Sequence, residues 1–270
     1  MRIGLIGCGN MGGALLTGLV RGGAYSPADI CVFDAYAPKL AETEKNFGVK
    51  AAASAEAVAA EAEILIVAVK PQDMDGLIAR IRKTFDRTDR VLLTIAAGIR
   101  VSSYRDHLTK TPIARVMPNT PALVGEGASA VYFDGEFSED MKNEVLKILS
   151  SCGIAEVVSK EGLLDTVTGL SGSAPAYVFS FINALADAGV QEGLPRAVAR
   201  KLAVQTVLGS AKLALQDSGT HPLELRDRVT SPGGTTAAGL FALEEGAFNA
   251  TVIRAVVKAT EKSRELGGGK

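Results

Sequence analysis

The chain has 270 residues, of which 47% are hydrophobic, and its 29 basic and 30 acidic side chains leave a formal net charge of −1. At roughly 100–200 residues per domain, this length predicts two domains, each able to bury a core. The near-zero net charge excludes a general electrostatic attraction to nucleic acid or to an anionic membrane.

Short β-rich segments alternate with helical ones over the first 160 residues. This alternation predicts parallel β-α-β units with right-handed crossovers, and therefore an α/β Rossmann-type, doubly wound N-terminal domain of residues 1–160. Ser54 and Ser138 are predicted to cap helices over 55–61 and 139–149, and Pro38 to stand at the first position of another. The predicted strands are 2–6, 29–33, 63–69, 91–95, 113–117, 128–132 and 155–158.

The strand pattern stops after Lys160, and the remaining segments have helical character. They predict an all-α C-terminal dimerisation domain of residues 161–270, with the border near 158–165. The predicted helices are 162–170, 174–192, 196–217, 222–229, 235–245 and 249–266.

The prediction of a dimer depends on residues 174–190, which are apolar around most of the helix circumference. A helix without a polar face needs burial on all sides, which a helical domain of this size would struggle to provide alone. The segment therefore predicts packing against a second copy of itself in a homodimer. The alternative is an internal helix of one monomer.

Residues 7–12 read Gly-Cys-Gly-Asn-Met-Gly, a GxGxxG sequence between the first predicted strand and a helix. In that setting Gly7 permits a tight turn, Gly9 lets a pyrophosphate approach the backbone, and Gly12 allows close helix–strand packing. The alternative is a glycine-rich turn without a ligand. The predicted dinucleotide contacts here are Ile6, Gly7, Cys8, Gly9, Asn10, Met11 and Gly12.

Asp34 ends the second predicted strand and stands 22 residues after Gly12. An acid at this place accepts hydrogen bonds from the adenosine ribose, which favours NAD over NADP. Lys39 follows closely and is able to reach a 2′-phosphate, and capping of the next turn is an alternative role for Asp34. Both NADP(H) and NAD(H) therefore stay open as the cofactor.

Further cofactor contacts are predicted where later strands end. In an open α/β sheet, the loops at the carboxyl ends of strands form the ligand crevice. Two such loops offer small residues and a rigid proline, and Asn119 lies in a stiff loop between two prolines, where its amide can face a nicotinamide. Two alternatives to cofactor contact stay open: Lys70 is a solvated surface lysine, and the turn at Asn119 has only a structural role. The predicted contacts are Ala68, Val69, Lys70, Pro71, Ala96, Ala97, Gly98 and Asn119.

The segment 231–236 reads Ser-Pro-Gly-Gly-Thr-Thr and opens directly into a helix. Backbone N–H groups at a helix N-terminus, together with two hydroxyls, favour binding of a small carboxylate. A plain capping loop is the alternative, although it needs only one hydroxyl residue and one glycine.

Candidate groups for acid–base catalysis are scarce in the sequence. No Lys, Arg or His occurs between Lys160 and Arg196, the two histidines are interpreted as surface residues, and the three cysteines lack metal-like spacing. We therefore predict no metal site, and hydride delivery to a substrate that is already an electrophile, such as an imine.

The chain enters an apolar strand directly after Arg2, which leaves no room for a secretory signal, and no segment suits a membrane span; this predicts a cytoplasmic protein.

Together these motifs resemble the pyrroline-5-carboxylate reductase family. The resemblance runs from the segment 3–12 to the C-terminal helix and includes the segments 68–71, 96–98, 117–121, 169–177, 193–196 and 231–236. It implies reduction of 1-pyrroline-5-carboxylate to L-proline by NADPH or NADH, the last step of proline biosynthesis, in a homodimer that in some members forms a ring of dimers.

The resemblance also implies site roles. The loop, reached from the partner subunit, would hold the substrate carboxylate through the backbone N–H groups of Gly234 and Thr235, and Thr236 would be the catalytic residue, with its hydroxyl near the ring nitrogen. Asp34 departs from the pattern, because NADPH users in the family often carry a hydroxyl or basic residue there. The implied substrate contacts are Val229, Ser231, Gly233, Gly234, Thr235 and Thr236.

Two other functions fit parts of the sequence. A β-hydroxyacid dehydrogenase would need a catalytic lysine after the Gly169-x-x-Gly172 motif, but none occurs before Lys201. A nucleotide-sensing binding protein would keep the glycine-rich motif and have no use for a second anion loop.

Overall fold

The computed structural model describes residues 2–268. These residues form two compact units. The first comprises the chain up to Ser173 together with the C-terminal segment from Lys258, and the second is Ala174–Val257.

The first unit is built on one eight-stranded sheet with the order β3-β2-β1-β4-β5-β6-β7-β8. From β3 to β6 all neighbouring strands are parallel. This confirms the Rossmann-type fold. From the centre of the sheet, the chain adds β1, β2 and β3 towards one side and then β4, β5 and β6 towards the other. The strands are β1 (Ile3–Ile6), β2 (Ile30–Phe33), β3 (Lys50–Ala51), β4 (Ile64–Val67), β5 (Val91–Thr94), β6 (Ile113–Met117), β7 (Gly127–Asp134) and β8 (Gly153–Val157).

The central strands are buried on both faces, which explains their uninterrupted apolar sequences. Because successive side chains of a strand point to opposite faces of the sheet, neighbouring residues enter different hydrophobic cores. Leu5 packs in one cluster with the helix that follows β1, and Ile6 packs in the other, on the opposite face. The sheet is therefore covered by helices on both sides.

Two features of the sheet differ from the sequence prediction. The short strand β3 was not expected, since its exposed Lys50 and half-buried Ala51 give no apolar signal. β7 pairs with β6 in the antiparallel direction, so these two strands do not form one of the predicted parallel β-α-β units. Only a 3-10 turn, Thr120–Val124, connects the two strands, and a parallel pair needs a crossover of a dozen residues or more.

Helix starts in this unit follow local capping signals. Ser54 and Ser138 accept hydrogen bonds from the N–H groups of Ala57 and Met141, which confirms both predicted caps, whereas Pro38 is the second residue of its helix and not the first. The helices are α1 (Asn10–Arg21), α2 (Ala37–Phe47), α3 (Ala55–Glu61), α4 (Pro71–Phe85), α5 (Val101–Arg105), α6 (Glu139–Ser150) and α7 (Leu163–Val167), with a π-helical turn at Thr168–Gly172.

The compact units divide after Ser173, later than the predicted border near residue 160. α7 packs on β6 and β7, which ties this segment to the sheet. Residues 258–268 also join the first unit, because the Ser263 hydroxyl donates to Asp165 at 2.7 Å and the Arg100 guanidinium donates to the Gly267 carbonyl at 2.9 Å. Such contacts between distant parts of the chain leave no signal in the local sequence.

The second unit is entirely helical, as predicted. Its longest pair, α8 and α9, pack on each other. Ala186 is the only residue of α8 that is buried, and large apolar side chains such as Phe179 (65% exposed) lie on the surface of the single chain. Among the described helices, none is long and apolar enough to cross a membrane. The helices are α8 (Ala174–Gln191), α9 (Arg196–Gln216), α10 (Pro222–Arg228), α11 (Thr235–Glu245) and α12 (Phe248–Gly268), the last of which continues into the first unit.

Candidate active site

The turn between β1 and α1 requires glycine at its first position. Gly7 has φ +98°, and a Cβ atom there would lie 2.6 Å from the carbonyl oxygen of Ala68. Its N–H donates to the Phe33 carbonyl at 2.9 Å, so the turn is fixed to the end of β2. The chain can therefore reverse closely above the ends of β2 and β4.

The N-terminus of α1 is open above this turn. The helix begins at Asn10, and its N-cap residue Gly9 offers no side-chain cap. An added Cβ on Gly9 would meet nothing within 4 Å, so the backbone faces open space. Unpaired N–H groups and the helix dipole at such an end favour a phosphate group. The geometry fits the pyrophosphate of a dinucleotide.

A cavity of about 860 Å³ lies at the carboxyl ends of β1, β2 and β4. Its size is within the range of small-molecule and cofactor sites. Seven of the predicted cofactor residues meet there: Ile6, Gly7, Gly9, Asp34, Ala68, Val69 and Lys70. Other lining residues were not predicted from the sequence, among them Tyr36, Asp73, Leu77 and Arg80.

Asp34 stands where β2 ends and its carboxylate contacts two backbone N–H groups. One oxygen accepts from Cys8 at 2.7 Å, inside the glycine-rich turn, and the other accepts from Tyr36 at 2.8 Å. The turn-capping alternative is thus realised, and at the same time the carboxylate lines the cavity. Lys39 is not among the lining residues, and its amine lies 3.1 Å from Glu42.

Three more predicted residues, Pro71, Ala97 and Gly98, line a second cavity of about 540 Å³ in the same unit. Part of its wall comes from the π-helical turn with the residue after it and from the C-terminal part of α12, through residues that were not among the predicted site residues. π-Helical turns are frequent at functional sites. These additional lining residues include Thr168, Ser173, Lys262 and Ser263.

The other predicted cofactor residues do not line these two cavities. Cys8 is fully buried, and burial raises the pKa of its thiol to about 11, so its contribution to the turn is its backbone. Gly12 and Ala96 are buried, and Asn10 and Met11 lie in the first turn of α1.

Asn119 is 8% exposed and both ends of its amide are engaged. Its oxygen accepts from the Ala128 N–H at 2.8 Å, and its nitrogen donates to the Ser171 carbonyl at 3.1 Å. In this position it joins the loop after β6 to β7 and to the π-helical turn. The structure therefore shows a connecting role for the side chain, and contact with a nicotinamide remains a prediction.

The second predicted anion site, in the helical unit, has a related geometry. α11 begins at Thr235 with Gly234 as N-cap and no side-chain cap, and Gly233 adopts φ +67°. The Gly234 N–H, which the resemblance implied as a donor to the carboxylate, donates instead to the Ser231 carbonyl at 3.0 Å. The N–H groups left for an anion in the first turn of α11 are those of Thr235, Thr236 and Ala237. Val229 and Ser231 are exposed beside them.

Neither histidine lines the two cavities. His221 is exposed and caps α10, as expected of a surface residue. His107, which was predicted to lie at the surface, is half-buried with Nε2 2.9 Å from Asp75. Within residues 2–268, no three His, Cys, Asp or Glu side chains cluster as a metal site would require.

A glycine-rich turn, an open helix N-terminus and a cavity at the ends of parallel strands define a Rossmann-type dinucleotide-binding protein. Residues 2–98 match the family described as NADP oxidoreductase coenzyme F420-dependent. Residues 161–266 match the family described as Pyrroline-5-carboxylate reductase dimerisation.

Similarity to individual proteins extends over the whole chain. A pyrroline-5-carboxylate reductase from Methanosarcina acetivorans is 42% identical over 98% of both chains. The structure of one from Coxiella burnetii is 33% identical, covers 98% of both chains and superposes with a TM-score of 0.94. A Plasmodium falciparum pyrroline carboxylate reductase with NADP bound is 33% identical, covers 99% of this chain and 98% of its own, and has a TM-score of 0.85. The chain belongs to the pyrroline-5-carboxylate reductase family.

Proposed function

We propose that this protein reduces 1-pyrroline-5-carboxylate to L-proline with NADPH or NADH, the last step of proline biosynthesis. The observation that carries the proposal is the presence in one chain of two helix N-termini without side-chain caps, at α1 and at α11, in a sequence related to the reductases over its whole length. One suits a dinucleotide and the other a small carboxylate.

The first unit would hold the cofactor, which supplies the hydride when bound. The N–H groups at the start of α1 bind the pyrophosphate, and Gly9 allows the close approach that they need. Asp34 accepts from the adenosine ribose, and Lys70 lies in the same cavity with its cationic amine. Pro71, Ala97 and Gly98 enclose the nicotinamide end, where small side chains leave room for a ring.

The α11 loop would bind the substrate carboxylate through the N–H groups of Thr235 and Thr236, with Ser231 and Gly233 shaping the turn. We assign the Thr236 hydroxyl to the ring nitrogen as a positioning donor, because an unactivated hydroxyl is a poor proton source. The nitrogen gains its proton before hydride transfer or through a water held by this hydroxyl. Positioning of the C=N carbon then supplies much of the rate.

The assembly we propose is a homodimer that buries the apolar surface of α8. Phe179, Val178 and Leu185 are each exposed by 38% or more in the single chain. Such a surface on one helix favours a protein–protein contact. A Phe179→Asp variant should shift the protein towards the monomer in analytical ultracentrifugation. Val124→Asp, at a valine that is 77% exposed in the first unit, is the matched control and should keep the oligomeric state of the parent.

The decisive experiment follows oxidation of NADPH and NADH at 340 nm with pyrroline-5-carboxylate and identifies proline as the product. Rapid turnover supports the proposal. A folded protein that binds either cofactor and turns over no imine contradicts it and favours a nucleotide-sensing binding protein. The cytoplasmic location predicted from the sequence is a separate proposal, which cell fractionation tests.

The assignment of Thr236 has its own test. Thr236→Ala should raise KM for the imine and lower kcat, whereas Thr236→Ser keeps the hydroxyl and should retain most of the activity. Parent-like kinetics for Thr236→Ala would show that the hydroxyl has no role.

A further inference from the structure

The carboxylate of Asp34 is held in one orientation by the main chain. Its two oxygens accept hydrogen bonds from Cys8 and Tyr36, at 2.7 and 2.8 Å. Both donors are backbone groups in turns, so neither can swing away as a long side chain would. The negative charge is therefore fixed at the end of β2, on the wall of the 860 Å³ cavity.

This carboxylate keeps capacity for a ligand. A carboxylate offers about four acceptor sites, of which the two backbone N–H groups use two. The remaining lone pairs suit the hydroxyl donors of a ribose diol. A 2′-phosphate in the same place would have no hydrogen to donate when fully ionised, and its charge would repel the carboxylate.

Among the described residues, no cation forms an ion pair with Asp34, whose oxygens accept from backbone N–H groups. Lys39 pairs with Glu42 and does not line the cavity. Arg80 lines it, with its guanidinium 3.4 Å from Glu56. Lys70 follows β4, and since β1 lies between β2 and β4, the ends of those strands are about 10 Å apart. Asp73 adds another acid to the lining.

We infer that Asp34 makes this protein select NADH over NADPH. The inference rests on the proposed function in taking a nicotinamide dinucleotide as the occupant of the cavity. Selection arises from two effects at one residue: hydrogen bonds to the 2′-hydroxyl and repulsion of a 2′-phosphate. Both effects concern the adenosine end, so they are present in binding as well as in turnover.

The test compares kcat/KM for NADH and NADPH in the parent and in Asp34→Ser. We expect the parent to favour NADH by about tenfold or more, as a close like-charge contact in a partly buried site implies. Asp34→Ser should lower this ratio by about tenfold or more, mainly through a lower KM for NADPH. Asp29→Asn removes an exposed acid that does not line the cavity and should leave the ratio within about twofold of the parent.

Two results would overturn the inference. One is a parent enzyme that prefers NADPH. The other is an Asp34→Ser variant, folded by circular dichroism, with the parent ratio. Lys39→Gln tests the competing role for that lysine, since a selective loss of NADPH binding in this variant would show that Lys39, and not Asp34, decides the preference.

Binding without substrate separates this inference from the proposed function. We would measure the affinities of adenosine 5′-monophosphate and adenosine 2′,5′-bisphosphate for the parent protein by calorimetry. Tighter binding of the monophosphate supports the role of Asp34 even if no imine is reduced. Tighter binding of the bisphosphate contradicts it whatever the variant does, including the case in which Asp34→Ser fails to fold.

Discussion

A Cβ atom on Gly12 would lie 2.0 Å from the carbonyl oxygen of Gly7. The first turn of α1 therefore packs directly on the turn that leaves β1. For Gly12→Ala we expect a loss of about 2–4 kcal/mol in the free energy of unfolding, because neither backbone segment can move without disturbing the sheet. Thermal denaturation measures the loss, and NADH binding should weaken with it.

Gly13 gives a matched control, since it is the next residue of the same helix. A Cβ there would have its nearest neighbour, the Cys8 carbonyl oxygen, at 3.8 Å, an ordinary contact distance. Gly13→Ala should be neutral or should gain up to about 1 kcal/mol from helix propensity. Equal destabilisation by the two variants would show that the Gly7–Gly12 contact is not the cause.

Gly9→Ala separates binding from stability. Its Cβ would enter open space and meet no protein atom within 4 Å, so the melting temperature should stay within about 1 °C of the parent. The methyl group occupies the position proposed for the pyrophosphate, so KM for the cofactor should rise about tenfold or more. Parent-like KM values for both cofactors would place the pyrophosphate elsewhere.

Asn119→Ala distinguishes the observed contacts of this side chain from its predicted contact with the nicotinamide. Removing both hydrogen bonds leaves the Ala128 N–H and the Ser171 carbonyl without their partner, at a cost of about 1–3 kcal/mol in stability for each buried group. Cofactor affinity, measured well below the melting temperature, should change little. A large rise in KM with unchanged stability would instead support the nicotinamide role.

Asp86 should make the free energy of unfolding depend on pH. Burial alone raises its pKa, but hydrogen bonds from the backbone and hydroxyl groups of Thr109, Lys110 and Thr111 outweigh this, so the pKa of Asp86 is lowered. In the folded protein the pKa of Asp86 lies below its unfolded value of about 3.9. The contribution of Asp86 to the free energy of unfolding is therefore present above that pH and is lost as pH falls through the folded pKa.

An Asp86→Asn variant should therefore be less stable than the parent at pH 7, by about 1 kcal/mol, and the difference should shrink between about pH 5 and pH 2. Urea denaturation across this range measures it. Asp89→Asn is the control, because Asp89 pairs with Arg87 at the surface, where ion pairs contribute little. A pH-independent difference for Asp86→Asn would exclude the proposed linkage.

The three cysteines should be unreactive in the folded protein. Burial raises the pKa of Cys8 to about 11 and also raises those of Cys31 and Cys152. At pH 8 the thiolate of Cys8 is then roughly 0.1% populated. Labelling with a thiol reagent should be slow in native buffer and should reach three groups in denaturant. Fast native labelling of any one cysteine would mean that its region opens readily.

Short-range patterns in the sequence were sufficient for much of this protein. The caps at Ser54 and Ser138, the GxGxxG turn and the limits of the helix at Thr235–Glu245 follow from interactions between residues a few positions apart. Apolar strand segments and the change to helices after Lys160 likewise gave the fold class. For such features, local hydrogen bonding and periodicity determine the outcome before the chain is folded.

Other features were decided by residues far apart in the chain. The antiparallel direction of β7, the return of α12 to the first unit and the partners of Asn119 depend on contacts across dozens of residues. Asp34 is an example of both: its place at the end of β2 was visible in the sequence, but only the folded chain brings the Cys8 N–H to its carboxylate. Pairing of distant groups depends on which arrangement buries most apolar surface while every buried polar group finds a partner, and no local pattern contains that information.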